Sequence, residues 1–282
     1  MKRMLLVALA GAGALAALVL IQGCGVLGGP PTGVAVSAGP GDSDSTVVVS
    51  WTTPAEGAPD KYMVWFRQLT DSGYSVVGET TATSYAHSPH GMTGQYKVTA
   101  VFGKDTYEGA EKPSTVPIYS AATVLYEINK DSSYCGFGWT RDSGIGHVYA
   151  MTESANCASV DFYISDRQTG YGESLLKVVS PNVDTIDPGA GIVPKAGWRS
   201  NGFSNPVMDP QSPLPAYTAP PNADYFIYTV ITTQPCYIGC YTAGDTLKHY
   251  ALIQVDSFNV ASGKLWMQSW YQLVPGLRLI RH

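Results

Sequence analysis

The residues best suited to chemistry lie late in the 282-residue chain, where Trp266, Gln268, Trp270 and Gln272 alternate with Leu265, Met267, Ser269 and Tyr271. Alternation of this kind fits a strand, whose successive side chains point to opposite faces. One face then carries indoles interleaved with amides. Flat rings stack on the apolar C–H faces of sugars, and amides donate to and accept from hydroxyls, so the combination suits carbohydrate recognition. Four strand residues set the two indoles roughly 13 Å apart, the reach of a chain of sugars rather than one ring. The plain alternative is that both faces are covered by packing.

Support for catalysis is thinner. The sequence contains no G-x-S-x-G nucleophile elbow, no H-E-x-x-H zinc helix and no phosphate-binding P-loop. His147 and His249 are candidates for a triad, and Asp161, Asp166, Glu173, Asp184 and Asp187 for a glycosidase pair, which requires carboxyl groups about 5 to 9.5 Å apart. Ordinary strand-edge and turn positions account for all of them without function. Asp184 and Asp187 fall in the turn-rich segment 181–188, where carboxylates can bind calcium, and His87 with His90 could touch a metal. Neither pattern has the ligand count of a built site. No catalytic residue, metal or cofactor is assigned.

Five cysteines complete the reactive inventory. Cys135, Cys157, Cys236 and Cys240 form an even set that reads, in an exported chain, as two disulfides with three connectivities. Pairing between sequence neighbours, Cys135 with Cys157 and Cys236 with Cys240, is the preferred expectation. Loop-closure entropy would make these bridges worth about 3 and about 2 kcal/mol. Zinc would need four converging thiolates or nearby histidines, which the spacing does not supply.

The elements that position these residues are short strands. Gly, Pro, Ser, Thr and Tyr are abundant, charged residues make up 14% of the chain, and no amphipathic helix of ten residues is evident. Between residues 31 and 118, seven runs alternate apolar and polar residues: 34–37, 46–51, 61–67, 74–77, 84–86, 95–102 and 114–118. Val47, Val49 and Trp51, Tyr62, Val64 and Phe66, and Tyr96, Val98 and Ala100 fall on the inward face. Trp65 falls on the outward face, either packed against a second domain or loop or open to a ligand.

The run ending in Trp51, the next beginning at Tyr62, and Tyr96-Lys97-Val98-Thr99-Ala100, which looks like the tyrosine-corner strand, together resemble a fibronectin type III domain. The resemblance implies a seven-stranded sandwich used as a spacer or adhesion module. Integrin-type recognition is not implied, because the loop expected at residues 103–108 lacks Arg-Gly-Asp. Residues 121–282 show further strand-like runs at 125–129, 146–151, 159–164, 175–179, 226–232, 250–258 and 265–272, and no family is evident. A second β-sandwich, of which a jelly roll is one form, is expected there. The proline-rich segment 204–222 should be an extended surface loop without ladder hydrogen bonds.

At the N-terminus, Lys2 and Arg3 precede an apolar stretch that ends in Ile21-Gln22-Gly23-Cys24, which resembles the lipobox of bacterial lipoproteins. The resemblance implies cleavage before Cys24, acyl chains of the palmitate kind on Cys24, and a tether over residues 24–30. Two or more acyl chains give stable anchoring at about 0.8 kcal/mol per buried methylene. An ordinary secretory leader and an uncleaved anchor are the competing readings. Gly25 is not the Asp that in this family retains proteins at the inner membrane, so transport to an outer membrane or surface is permitted. Loss of residues 1–23 leaves 15 bases against 22 acids, a net charge of −7 that disfavours nucleic acid.

The sequence therefore reads as a lipid-anchored, extracytoplasmic, all-β protein. Residues 1–23 are a lipoprotein signal peptide, 24–30 the lipidated cysteine and tether, 31–118 a fibronectin type III-like domain and 121–282 a C-terminal β-sandwich. Adhesion or recognition of glycan or protein partners at the envelope is the leading function. An envelope polysaccharide hydrolase and a structural subunit of an envelope assembly are the alternatives. The candidate ligand-binding residues are Trp65, Trp266, Gln268, Trp270 and Gln272.

Overall fold

A computed structural model describes residues 28–40, 46–166, 176–181, 197–204, 207–208, 217–218, 227–229, 236–241 and 249–280. The expected leader and Cys24 lie outside the described residues, as do Glu173, Asp184 and Asp187.

The first module holds seven strands: β1 (Thr32–Ala38), β2 (Val47–Thr52), β3 (Lys61–Gln68), β4 (Ser75–Thr80), β5 (Ser84–His87), β6 (Gly94–Phe102) and β7 (Asp105–Glu108). They form a three-stranded sheet ordered β1-β2-β5 and a four-stranded sheet ordered β4-β3-β6-β7, with every pairing antiparallel. This is the strand order of a fibronectin type III-like sandwich. Period-two alternation turns Val47, Val49 and Trp51 toward Tyr62, Val64, Phe66, Tyr96, Val98 and Ala100, and all nine are buried in one core. Trp51 and Tyr62 meet edge to face at 5.1 Å. Each such burial contributes about 1.5 to 3 kcal/mol.

The seventh strand differs from expectation. It is β7, folded straight back on β6 through Gly103, whose φ of 59° is the left-handed value that a two-residue hairpin turn takes at its first position. The segment 103–108 is thus turn and strand. Ser114, expected in the last strand, makes a single bridge to Gln95, and Ile118 already begins the next module.

Twelve strands follow: β8 (Ile118–Tyr126), β9 (Gly136–Trp139), β10 (Gly146–Tyr149), β11 (Phe162–Ser165), β12 (Lys177–Val179), β13 (Asn201–Ser204), β14 (Val207–Met208), β15 (Tyr217–Thr218), β16 (Ile227–Thr229), β17 (Cys236–Tyr241), β18 (His249–Asn259) and β19 (Lys264–Tyr271). Two five-stranded antiparallel sheets result, ordered β10-β9-β11-β12-β16 and β13-β17-β18-β19-β8. Phe137, Trp139, Phe162, Ile164 and Val178 from the first sheet pack on Leu125, Phe203, Ala251, Ile253, Val255, Leu265, Met267 and Tyr271 from the second. The architecture is therefore a second sandwich. β14 and β15 pair with each other, so the proline-rich segment does carry a short ladder, against expectation.

After β19 the chain returns to the first module. Val274, Leu277 and Leu279 are buried in the same core as Val47 and Tyr96. The side chain of Gln272 fixes this return: its Nε2 donates to the carbonyls of Thr115 at 2.9 Å and Leu279 at 2.7 Å, and its Oε1 accepts from the Val274 N–H at 3.0 Å. The core of the first sandwich is thus completed by residues that follow the second.

The expected disulfide between Cys135 and Cys157 is not present. Cys135 and Cys157 are free thiols, and the buried Cys135 donates from Sγ to the Ser132 carbonyl at 3.3 Å. Cys236 and Cys240 lie four residues apart on β17. An extended strand separates such Cα atoms by roughly 13 Å, and their side chains lie outside the described residues.

Candidate functional site

Strand alternation makes β19 two-faced. Leu265, Met267, Ser269 and Tyr271 point into the core, while Lys264, Trp266, Gln268 and Trp270 point outward. Neighbouring strands complete the outer face by register: Trp266 lies between Val124 of β8 and Ser257 of β18, and Trp270 lies beside Tyr119 of β8. Two bulges flank it, one adding Asp256 to β18 and one adding a residue between Ser120 and Thr123 of β8. A bulge re-aims side chains locally. Here it brings the Asp256 carboxylate onto the amide of Gln268.

The polar groups on this face form one chain of hydrogen bonds. Gln268 Nε2 donates to both oxygens of Asp256, at 3.0 and 3.1 Å, and Gln268 Oε1 accepts from the Tyr119 hydroxyl at 2.8 Å. The amide orientation is thereby fixed, because the reverse would set two acceptors against each other. The Tyr119 ring rests against Trp270 with centroids 5.4 Å apart, and it is 51% exposed while Trp270 is 8% exposed. Trp266 is half-buried, and its indole N–H meets no acceptor among the described residues. At the other end of the strand, Lys264 Nζ sits 5.2 Å from the Tyr126 ring centroid. The face thus offers an open ring, a second ring pair and an ordered row of donors and acceptors.

Gln272 is not part of it. β19 ends at Tyr271, and Gln272 turns inward to bind Thr115 and Leu279, so it is fully buried and cannot contact a ligand on the outer face. Trp65 lies on the other module, on the outer side of β3, where it is half-buried. Its Nε1 donates to Thr99 Oγ1 at 3.0 Å, and Lys97 sits 5.1 Å from the ring centroid and 4.8 Å from that of Tyr74. These cation–ring contacts make Trp65 part of a ladder along the sheet.

The catalytic candidates are engaged elsewhere or apart. Asp161, at the start of β11, is buried and accepts from Arg141 at 2.9 and 3.2 Å, from Arg199 at 2.7 Å and from the Trp139 N–H at 2.9 Å. A carboxylate so saturated acts as a clamp between the two sheets, its lone pairs taken up by Arg141, Arg199 and the Trp139 N–H. His249 stacks on Tyr271 at 5.4 Å, and burial pushes the Tyr271 hydroxyl up to about 12. His87 Nδ1 bonds to the Tyr96 hydroxyl at 2.9 Å, and burial, with His90 beside it, holds its ring down at about 4. Among the described residues no group of three or more His, Cys, Asp or Glu side chains converges as metal ligands. Burial likewise pushes the Cys135 thiol up to about 12, which keeps it unreactive.

Sequence reasoning does not find Glu127. It is buried after β8, it accepts from the Asn129 N–H at 2.9 Å and side chain at 3.0 Å, and burial raises its carboxyl, with nearby Asp166 adding to the effect. Tyr119 and Asp256 escape it too, since strand pairing alone brings them to Gln268.

No family model matches the sequence, and no curated protein matches it. Solved structures are similar in part. A fibronectin type III domain of human collagen XX is 24% identical and covers 32% of this chain and 92% of its own, with a TM-score of 0.25. The FN3tt structure is 20% identical over 30% of this chain and 92% of its own, with a TM-score of 0.23. The chicken CNTN1 FN1-FN3 domains are 10% identical over 88% of this chain and 89% of their own, also with a TM-score of 0.23. The strand order of β1 to β7 defines the first sandwich independently of these superpositions.

Proposed function

We propose that this chain is a lipid-anchored, non-catalytic recognition protein of a bacterial envelope, and that the outer face of β19 and β8 binds glycan. The observation that carries the reading is the hydrogen-bonded row Tyr119, Gln268 and Asp256, with Gln268 between Trp266 and Trp270 on β19 and the Tyr119 ring resting against Trp270. Rings supply stacking surface, and fixed polar groups supply orientation, which together are what a sugar chain requires. The Cys24 lipobox supports an envelope location, and the turn-rich, acidic composition is in keeping with it. The saturated state of Asp161 weighs against the hydrolase alternative at that residue.

The test is retention of the full chain on immobilised envelope polysaccharide, compared with Trp266→Ala and Tyr119→Ala. Loss of retention in both variants, with unchanged thermal unfolding, supports the reading. Equal retention by all three removes it. Intact-mass measurement of native material checks the anchor separately: an acylated Cys24 at the new N-terminus is expected, and an unmodified thiol would refute that part.

A further inference from the structure

Resting on that reading, we infer that Asp256 sets the charge class of the glycan: the face accepts neutral or amino-sugar chains and rejects uronic-acid polymers. Asp256 is half-buried at the β18 bulge, and its two oxygens are held by one neutral donor, Gln268 Nε2. Among the described residues no Lys or Arg pairs with it. Among the described residues of β19 the outward cation is Lys264, which stands four strand residues from Gln268, roughly 13 Å away, and lies over Tyr126. An uncompensated negative charge therefore sits among the rings.

A neutral hydroxyl can donate to the lone pairs that Gln268 leaves on this carboxylate, and an amino-sugar ammonium can do so with charge assistance. A uronic carboxylate laid over the same rings would face a like charge with no intervening cation, and the half-buried setting weakens solvent screening. The geometry thus separates acidic from non-acidic chains by charge, while stacking on Trp266 and the Tyr119 pair serves both classes equally.

The experiment measures affinity of the full chain for three soluble probes: a neutral β-linked glucan, a glucosamine oligomer and polygalacturonate. Wild type, Asp256→Asn and Trp266→Ala are compared, with thermal unfolding as the check on folding. The Asn side chain keeps an acceptor for Gln268 and removes the charge. Wild type should bind the first two probes and not the third, Asp256→Asn should gain affinity for polygalacturonate by roughly tenfold, and Trp266→Ala should lose all binding. An unchanged probe profile in Asp256→Asn overturns the charge assignment and leaves the glycan face standing, as does wild-type binding of polygalacturonate as tight as of glucan. Wild type binding none of the three, or Trp266→Ala binding like wild type, overturns both.

Discussion

Gln272 donates to the carbonyl of Thr115 at 2.9 Å across 157 positions of sequence, and so joins the end of β19 to the segment that links the modules. Around this contact Val274, Leu277 and Leu279 enter the core of the first sandwich. The two modules therefore share apolar side chains, and loss of those side chains should be felt in both modules together.

Replacing Leu277 or Leu279 by Ala should cost about 2 to 5 kcal/mol, the range for buried Leu truncation. Because both modules hold the tail, unfolding followed by tryptophan fluorescence and by circular dichroism should give one coincident transition, shifted to lower denaturant in each variant. Two separate transitions, with the Trp51 environment unmoved by either substitution, would show that the shared core is not energetically coupled.

Asp161 joins Trp139 of one sheet, and Arg141 in the turn after it, to Arg199, just ahead of β13 in the other. Asp161→Ala leaves two mostly buried guanidinium groups facing each other and should cost about 3 to 5 kcal/mol. Chemical denaturation of the variant is the measurement. A change below about 0.5 kcal/mol, the size of an ordinary surface substitution, would mean that the clamp is redundant.

His87 gives the fold a pH dependence whose sign follows from its lowered value. Its ring titrates at about 4 in the folded chain against an ordinary value of 6.5, so between these values the unfolded chain binds more protons. Stability from this group is fully present above pH 6.5 and is lost as pH falls through 6.5 toward 4. Denaturation midpoints from about pH 7 to about pH 4 should decline in wild type and decline less in His87→Gln. Parallel profiles in the two proteins would assign the acid sensitivity to other groups.

Much of the fold is legible where one face of a strand is apolar. Val47, Val49 and Trp51 alternate cleanly, and so do Trp266, Gln268 and Trp270, so their faces follow from period two alone. β9 escapes such a reading because its glycines dilute the pattern. Gly138 is needed there, since a side-chain carbon would collide with the Ser159 carbonyl. β7 escapes it because its Asp and Glu look like loop residues, whereas on an edge strand they are at home.

The site is half legible for a related reason. Residues on one strand reveal their common face, but register between strands is set by the fold, so sequence alone does not place Tyr119 and Asp256 beside Gln268. Gln272 continues the alternation in sequence, yet the strand stops before it. Cys135 and Cys157 are illegible in a similar way: their spacing in sequence carries no information about whether the fold brings the two thiols together, and both are free.

The shared core also constrains the order of events during biosynthesis. Translation delivers Leu277 and Leu279 only after the whole second module has been made, although β1 to β7 are complete by Glu108. A nascent first module must therefore wait with an apolar seam open, in contrast to the usual sequence in which each domain closes as it emerges. Any chaperone that escorts this polypeptide has that seam to shield, and premature termination after β19 would leave it open permanently.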